Sequence, residues 1–440
     1  MNQEMAALCR RVLKIAKQNG AEACKVGLAK ARQVDLSYRD QKPEMVKEAL
    51  TQVLTLEIYV NQRYALQTTS DLRPRTLPGF IAGSVANTRL ISADPFRSLP
   101  DPRYYRGRAE IDLKVCDPDY GQVTQEKRHA LLKTIEAACL AEGGSKVIST
   151  TVGLRDRFYE FMDMTSNGFE GYTRETGFLA SATVSVRDQD DRRPQSYYYN
   201  HVRRFKDLDS SAEIGRRAAR RALQQLGGRK IKSEILPVIV ENLNIGRLIR
   251  GLHEALSGYN IQQKQSFLAD KKGQKIGSDG FTLVDDPMLI AGQGSRLFDN
   301  DGLASAKRTI FEAGALKNFF IDWYYSRKLG SEPTSGSVSN LILKSGERSV
   351  EQIMRDLGRG IFITDFIGGN ANVTSGDFSM GISGFLFENG TAVQPISEMN
   401  LAGNHLTFWS KLVEAADDPW LHNEWRIPSL VFRDVVVSGV

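Results

Sequence analysis

Cysteine is scarce in this chain: four of 440 residues, with none after Cys139. Cys9, Cys24, Cys116 and Cys139 lack the paired spacing of a zinc site and the density of a disulfide-stabilised secreted domain. We interpret them as buried, reduced thiols in a reducing compartment. The distribution excludes a disulfide scaffold, and it leaves the C-terminal half without a thiolate ligand for a metal.

Long hydrophobic runs are also missing. No apolar run reaches the roughly 18–20 residues that a membrane helix requires. The first residues form an amphipathic helical pattern instead of the apolar core of a signal peptide. We therefore predict a cytoplasmic protein without a membrane partner. A hydrophobic content of 41% and a charged content of 25% are those of a globular chain, and the length suits two or three domains.

Several functional motifs are absent as well. The sequence contains no Walker-type phosphate loop, no Gly-x-Ser-x-Gly motif and no RNA-binding signature. The net charge of +6 requires a nucleic-acid partner to be considered. However, the basic residues are spread along the chain, and the densest run, Arg216–Arg221, has a helical pattern typical of a solvated face. Nucleic acid is therefore not the expected partner.

The pattern of secondary structure favours an α+β fold in two parts. Strands and helices are segregated instead of alternating, which argues against a βαβ protein. We predict an N-terminal α+β domain at residues 1–230, with a subdivision near 105–125, and a C-terminal β-rich domain at 231–440. The predicted N-terminal strands include Cys24–Leu28, Gln33–Arg39 and Val53–Tyr59.

The stretch from Gly360 to Gly403 consists of strand-like pieces separated by glycine. Asn389-Gly390 suits the type I′ turn of a hairpin. The density of glycine suggests a surface where another backbone can lie close, as an extended peptide added to a sheet edge would. An equally weighted alternative is a compact β core with tight turns. The candidate substrate-binding residues are Gly368, Gly369, Asp377, Ser379, Gly381 and Gly384.

His253-Glu254 is the sharpest local signal for chemistry. A His-Glu pair on a helix is half of the H-E-x-x-H arrangement, in which two histidines bind zinc and the glutamate activates water. The second histidine is missing, because Ser257 and Gly258 follow at the next turn. His253 and Glu254 are therefore weak catalytic candidates. A histidine on an ordinary surface or core helix is the more common reading, and we predict no metal site.

Short segments of specific sequence occur in both halves of the chain. They are Asp94-Pro95, Asn167–Gly171, Ser266–Leu268, Tyr325–Gly330, Gly336–Leu341, Thr364–Gly368, Thr374–Met380, Gly384-Phe385, Glu388–Gly390, Pro395–Glu398 and Leu401–Asn404. In sequence and in order these segments resemble the TldD/PmbA (TldD/TldE) family, historically called modulators of DNA gyrase. The resemblance covers nearly the whole chain.

The resemblance implies a two-part α+β protein in a cytoplasmic protease system. Two related subunits there form a heterodimer around a peptide chamber. The TldD-type subunit binds zinc through an H-E-x-x-x-H helix and a distant cysteine, and the PmbA/TldE-type subunit lacks those ligands. Counting back from Lys264–Phe267 places the family's His-Glu pair at Leu248-Ile249 and its last histidine at His253. Aligning on His253-Glu254 places the last histidine at Gly258.

Either alignment leaves a zinc ion at least one ligand short, since a hydrolytic zinc takes three protein ligands. The resemblance therefore implies a PmbA/TldE-like subunit that is not catalytic alone, with zinc and catalysis in a TldD-like partner and unfolded peptide as substrate. Without that partner the chain can form a homodimer. Two alternatives stay open: a regulator associated with gyrase or nucleic acid, and a self-sufficient hydrolase using carboxylates near Asp365 and Asp377.

Overall fold

The computed structural model describes residues 2–189 and 191–440, and it confirms the α+β class. Most of its helices begin at a Ser, Thr, Asp or Asn whose side chain accepts a hydrogen bond from a first-turn N–H, as at Asn2, Thr124 and Ser210. The helices are α1 Gln3–Gln18, α2 Leu77–Thr88, α3 Gln125–Gly143, α4 Ser211–Leu223, α5 Gly246–Ala255, α6 Gly258–Gln262, α7 Trp323–Leu329, α8 Val350–Leu357 and α9 His405–Phe408. No helix in the described ranges is long and apolar enough to cross a membrane.

The N-terminal half is built on one antiparallel sheet of six long strands. Its order is β3-β2-β1-β4-β5-β6. The strands are β1 Ala23–Arg39, β2 Lys42–Val60, β3 Arg63–Thr69, β4 Val147–Thr165, β5 Glu170–Val186 and β6 Gln195–Val202.

The predicted break in β1 is wrong, because residues 23–39 form one strand and β2 begins eleven residues before Val53. One face of the sheet packs against α1 and α2 at one end of the strands and against α3 and α4 at the other. Lys30 and Arg32 lie between these two helix pairs, where partial exposure accommodates their charges.

The C-terminal half contains a small closed barrel and a second, five-stranded sheet. β14 and β17 also pair with each other, which closes the sheet β14-β13-β12-β7-β17 into a barrel that carries β15 on β17. The second sheet has the order β10-β9-β8-β11-β16. The strands are β7 Glu234–Val240, β8 Leu283–Asp285, β9 Arg308–Glu312, β10 Ala315–Leu316, β11 Leu341–Leu343, β12 Arg359–Ala371, β13 Asp377–Glu388, β14 Thr391–Asn404, β15 Leu412–Ala415, β16 Trp425–Arg426 and β17 Leu430–Ser438.

The glycine-rich stretch forms β12, β13 and β14 of the barrel. Asn389-Gly390 makes the predicted hairpin turn, with positive φ at both residues. Gly384 lies inside the barrel wall, where an added Cβ would come within 1.9 Å of the Phe362 carbonyl oxygen. Here glycine is required by the close approach of two strands, as the compact-core alternative anticipated.

Candidate functional site

Helix α5 carries the His-Glu pair, and its amphipathic sequence fixes which face is buried. Leu248, Ile249 and Leu252 are fully buried in the core of the C-terminal half. Glu254 projects from the opposite, exposed face. The two positions that one family alignment assigns to a His-Glu pair are therefore apolar core residues in this chain.

His253 lies in an aromatic environment at the edge of α5. Its ring centroid is 5.3 Å from that of Phe320 and 6.3 Å from that of Trp425. Burial lowers the pKa of His253 below its ordinary value, so the imidazole is neutral near pH 7. Neighbouring positions on a helix point about 100° apart. His253 and Glu254 accordingly face different surroundings.

The side chains around α5 do not fit a zinc ion. Ser257 caps α6 by accepting a hydrogen bond from the Asn260 N–H, and Gly258 packs against the backbone of Ile321. Within residues 2–189 and 191–440, no three His, Cys, Asp or Glu side chains converge in a way that could hold a metal. The donor set here is one imidazole among aromatic rings, which is not a hydrolytic zinc site.

Glu254 and Gly369 line one groove between α5 and the end of β12. Arg247, which belongs to no sequence motif, donates a 3.0 Å hydrogen bond from Nη2 to the Gly368 carbonyl oxygen. Gly368 and Gly369 both have positive φ and form a bulge at this point. The groove encloses about 180 Å³ and is lined by Arg247, Arg250, Gly251, Glu254, Gly369, Asn370, Ala371 and Met380.

Beyond Ile363, strand β12 has a strand neighbour on one side only within the part of the chain that the structure describes. Its pairing with β7 stops at Ile363, whereas its pairing with β13 continues to Ala371. Within the described residues, the free side of this segment is contacted by side chains, including Arg247 on Gly368. Residues 367–371 are exposed. The structure therefore presents an exposed strand segment beside the groove, which is the geometry that strand addition uses.

The other predicted binding residues do not gather at the groove. Ser379 pairs with Asn370 in the ladder and shares a side-chain hydrogen bond with Asn400. Asp377 is exposed and accepts hydrogen bonds from Ser375 and Asn404, which hold its pKa below the ordinary value. Gly381 lies against the Ile367 carbonyl within the ladder. Asp377 thus stabilises a turn, and Gly381 allows two strands to pair closely.

Asp365 and Asp377 are too far apart to act as a catalytic pair. Asp365 pairs with Ser383, six residues along β13 from Asp377, and at about 3.3 Å per residue the separation is roughly 20 Å. Burial raises the pKa of Asp365. Two carboxylates that share acid–base work on one bond lie within about 10 Å, so this alternative has no geometric support.

Two family models match most of the chain. The PmbA/TldA metallopeptidase central domain matches residues 118–226, and the PmbA/TldA metallopeptidase C-terminal domain matches residues 233–439. The domain boundary near residues 230 and 231 stays a prediction. Among curated relatives, the metalloprotease PmbA of Escherichia coli O157:H7 is 27% identical over 427 residues, covering 96% of this chain and 93% of the relative.

Solved structures agree with the family models. A proposed modulator of DNA gyrase from Bacteroides thetaiotaomicron VPI-5482 superposes with a TM-score of 0.96 at 36% identity, with both chains covered completely. TldE from Thermococcus kodakarensis shares the fold, with a TM-score of 0.85 at 22% identity over 98% of this chain and all of that one. The chain belongs to the PmbA/TldD metallopeptidase family.

Proposed function

We propose that this chain is the non-catalytic, PmbA/TldE-like subunit of a two-subunit zinc metalloprotease that processes or degrades unfolded peptides. The observation that carries the proposal is the donor set of α5. Leu248 and Ile249 are core residues, and His253 is a neutral imidazole among aromatic rings. Zinc and the catalytic water then belong to a TldD-like partner.

The open edge of β2 supports a partner subunit. Residues 54–60 of β2 pair with β3, but residues 42–53 pair only with β1 within the described ranges. Met45, Val46, Leu50 and Val53 are exposed along this segment, Leu50 to 78%. A long exposed edge with apolar side chains invites pairing with another chain. We propose that the TldD-like subunit binds at this edge. Because related subunits carry similar patches, a second copy of this chain can bind there when that partner is absent.

The groove beside α5 supports an extended peptide as the bound substrate. The free segment of β12 offers backbone groups, and the glycines at its bulge let a second backbone approach. Of the predicted binding residues, Gly369 lines this groove and Gly368 lies beside it. Glu254, a weak catalytic candidate, also lines the groove. This chain would hold the peptide while the partner cleaves it.

Reconstitution tests the proposal. The full chain is purified alone and after co-expression with an H-E-x-x-x-H-bearing homologue, and zinc content and cleavage of an unfolded fluorogenic peptide are measured for both. We expect zinc and chelator-sensitive cleavage only with the homologue, and a His253→Ala variant of this chain should retain the activity of the complex. Stoichiometric zinc and cleavage by the chain alone, both lost in His253→Ala, would overturn the proposal. Salt-sensitive binding to DNA without any peptidase complex would favour the regulatory alternative instead.

A further inference from the structure

A second cavity lies on the five-stranded sheet of the C-terminal half. It encloses about 230 Å³, which is more than the roughly 150 Å³ that holds a benzene molecule in an engineered protein cavity. Asp285 of β8 and Arg308 of β9 contribute the floor, and Tyr104 reaches it from the N-terminal half. The remaining wall comes from Pro287, Arg296, residues 303–307, Asn318, residues 333–335 and Ser339.

The two arginines of this cavity differ in their partners. Arg308 donates from Nε and Nη2 to the Asp285 Oδ2 at 3.0 and 2.9 Å, and its side chain is 10% exposed. Arg296 instead donates only to the carbonyl oxygens of Ser337 and Val338, at 2.7 Å each. Arg296 therefore keeps a positive charge that no carboxylate of the described residues contacts by hydrogen bond.

Three polar atoms of the cavity-lining residues are buried without a hydrogen-bond partner among residues 2–189 and 191–440. They are the Nε of Arg296 and the hydroxyl oxygens of Ser305 and Ser335. Native proteins rarely leave buried donors unsatisfied, and a group of such atoms at one cavity indicates a missing acceptor. Asp285 and Asp299 lie near enough to favour the charged form of Arg296, but neither accepts a hydrogen bond from it. A guanidinium and two hydroxyl groups with free donors match a carboxylate, which has one negative charge and two accepting oxygens.

The cavity lies close to the helix of the candidate site. The Arg308 guanidinium carbon is 4.5 Å from the centroid of the Phe320 ring, and His253 of α5 packs on that same ring. A single aromatic side chain therefore connects the cavity with α5. Phe320 itself is buried, so the cavity lies on the His253 side of α5 and the groove on the Glu254 side.

We propose that this cavity binds the C-terminal carboxylate of the peptide substrate, through Arg296, Ser305 and Ser335. The assignment rests on the proposed function, because it takes the ligand to be a peptide. Arg308 is neutralised by Asp285 and shapes the floor. The subunit would then position a peptide by its end, while the segment beside α5 receives its backbone.

Binding of matched peptides to the full chain tests the assignment. One unfolded peptide is prepared with a free C-terminal carboxyl, a second with a C-terminal amide, and a third as an amide carrying a glutamate one residue from its end. Affinities are measured by fluorescence anisotropy through an N-terminal dye. Hydrogen bonds to charged groups are strong enough that we expect the free acid to bind about tenfold tighter than the amide. The third peptide should behave like the amide; restored affinity would contradict the terminal assignment.

Variants locate the effect. Arg296→Met should abolish the preference for the free acid, Arg296→Lys should keep part of it, and Ser305→Ala and Ser335→Ala should each reduce it several-fold. Arg220→Met, which removes an exposed arginine of α4, is the matched control and should leave the preference unchanged. The serine variants keep the test decisive if Arg296→Met fails to fold, as circular dichroism would reveal.

Equal binding of acid and amide by the natural chain would overturn the assignment, as would an unchanged preference in both serine variants. Competition by inorganic phosphate without any preference for the free acid would also overturn it and indicate a general anion site. Because these measurements need no partner and no cleavage, their failure is distinguishable from failure of the proposed function, which reconstitution decides.

Discussion

The barrel of the C-terminal half and the long sheet of the N-terminal half solve the problem of sheet edges in opposite ways. β14 and β17 pair and close the barrel. The N-terminal sheet leaves residues 42–53 of β2 without a second neighbour within the described residues. Closure pairs the backbone N–H and C=O groups through which strands associate, whereas an open edge leaves these groups available to another chain.

This difference separates the two roles that the glycine-rich stretch had suggested. Inside the barrel, Gly384 and Gly381 allow close strand contact and contribute to the fold. At the bulge, Gly369 lines the groove beside α5 and Gly368 lies next to it. Binding surfaces thus occur where the strand pairing ends: at the free segment of β12 and at the edge of β2. The following predictions test that division, beginning with the largest effect.

Gly384→Ala should cause the largest loss of stability. The added Cβ would lie 1.9 Å from the Phe362 carbonyl oxygen, so that two paired strands must separate. We expect a loss of about 5 kcal/mol or more in the free energy of unfolding, or no soluble protein. Gly280→Ala is the control, because its Cβ meets only the Ser278 hydroxyl at 3.8 Å. Urea unfolding of both variants measures the effect. Equal stability would show that the barrel tolerates the extra atom.

Arg128→Met should be the most damaging single change among the ion pairs of the N-terminal half. Arg128 and Asp156 are 1% and 0% exposed, with Nε and Oδ2 at 2.6 Å, and Tyr120 also donates to Asp156. Removing one partner of a buried pair typically costs about 3–5 kcal/mol. Thermal unfolding should show the loss, while Arg220→Met, which breaks an exposed pair, should change stability by less than about 1 kcal/mol. Similar losses in both variants would contradict a special role for burial.

Much of the barrel could be predicted from sequence because its turns use specific residues. Asn389-Gly390 marks its hairpin, and in the five-stranded sheet Ala313-Gly314 likewise turns β9 into β10. The charged middle of β1 and the first half of β2 could not be predicted as strand, since partial exposure there replaces the apolar alternation that indicates a strand. Arg221 was assigned to a solvated face, yet it lies largely buried against Glu241.

The sites were harder to predict than the strands. His253 and Glu254 are adjacent in sequence, but His253 lies among aromatic rings and Glu254 lines the groove. They separate because successive helical residues point in different directions. The cavity that we propose to bind a carboxylate brings Tyr104 together with Arg296 and Arg308, which follow it by about 200 residues in the sequence. The serines of this cavity belong to no motif. Contacts of that kind arise from the packing of the two halves, which no local pattern records.

His405 should make stability depend on pH. Its ring stacks on that of Phe267 with the two centroids 5.5 Å apart, and its Nδ1 accepts a hydrogen bond from the Trp409 indole N–H. Burial lowers the pKa of His405 to about 4. The unfolded chain, with a histidine pKa near 6.5, therefore binds a proton that the folded chain excludes. This contribution to stability is complete above pH 6.5 and is lost as the pH falls toward 4. Between pH 7 and pH 5 the loss is about 2 kcal/mol.

His405→Phe should remove that part of the pH dependence, whatever it does to stability at pH 7. Urea unfolding of both proteins at pH 7, 6 and 5 gives the two slopes. A variant whose stability falls as steeply as that of the natural chain would show that other groups dominate.

Leu50→Lys should have the smallest effect on stability and the clearest effect on assembly. Leu50 is 78% exposed on the open edge of β2, so the free energy of unfolding should change by no more than about 0.5 kcal/mol. A lysine on an edge strand opposes pairing with another chain. Sedimentation of the chain with its H-E-x-x-x-H-bearing homologue should show weaker association. Val436→Lys, at an exposed position of the closed barrel with 50% exposure, should associate normally. If Val436→Lys weakened assembly and Leu50→Lys did not, the partner would bind the barrel, and an open strand edge would not be what selects the interface.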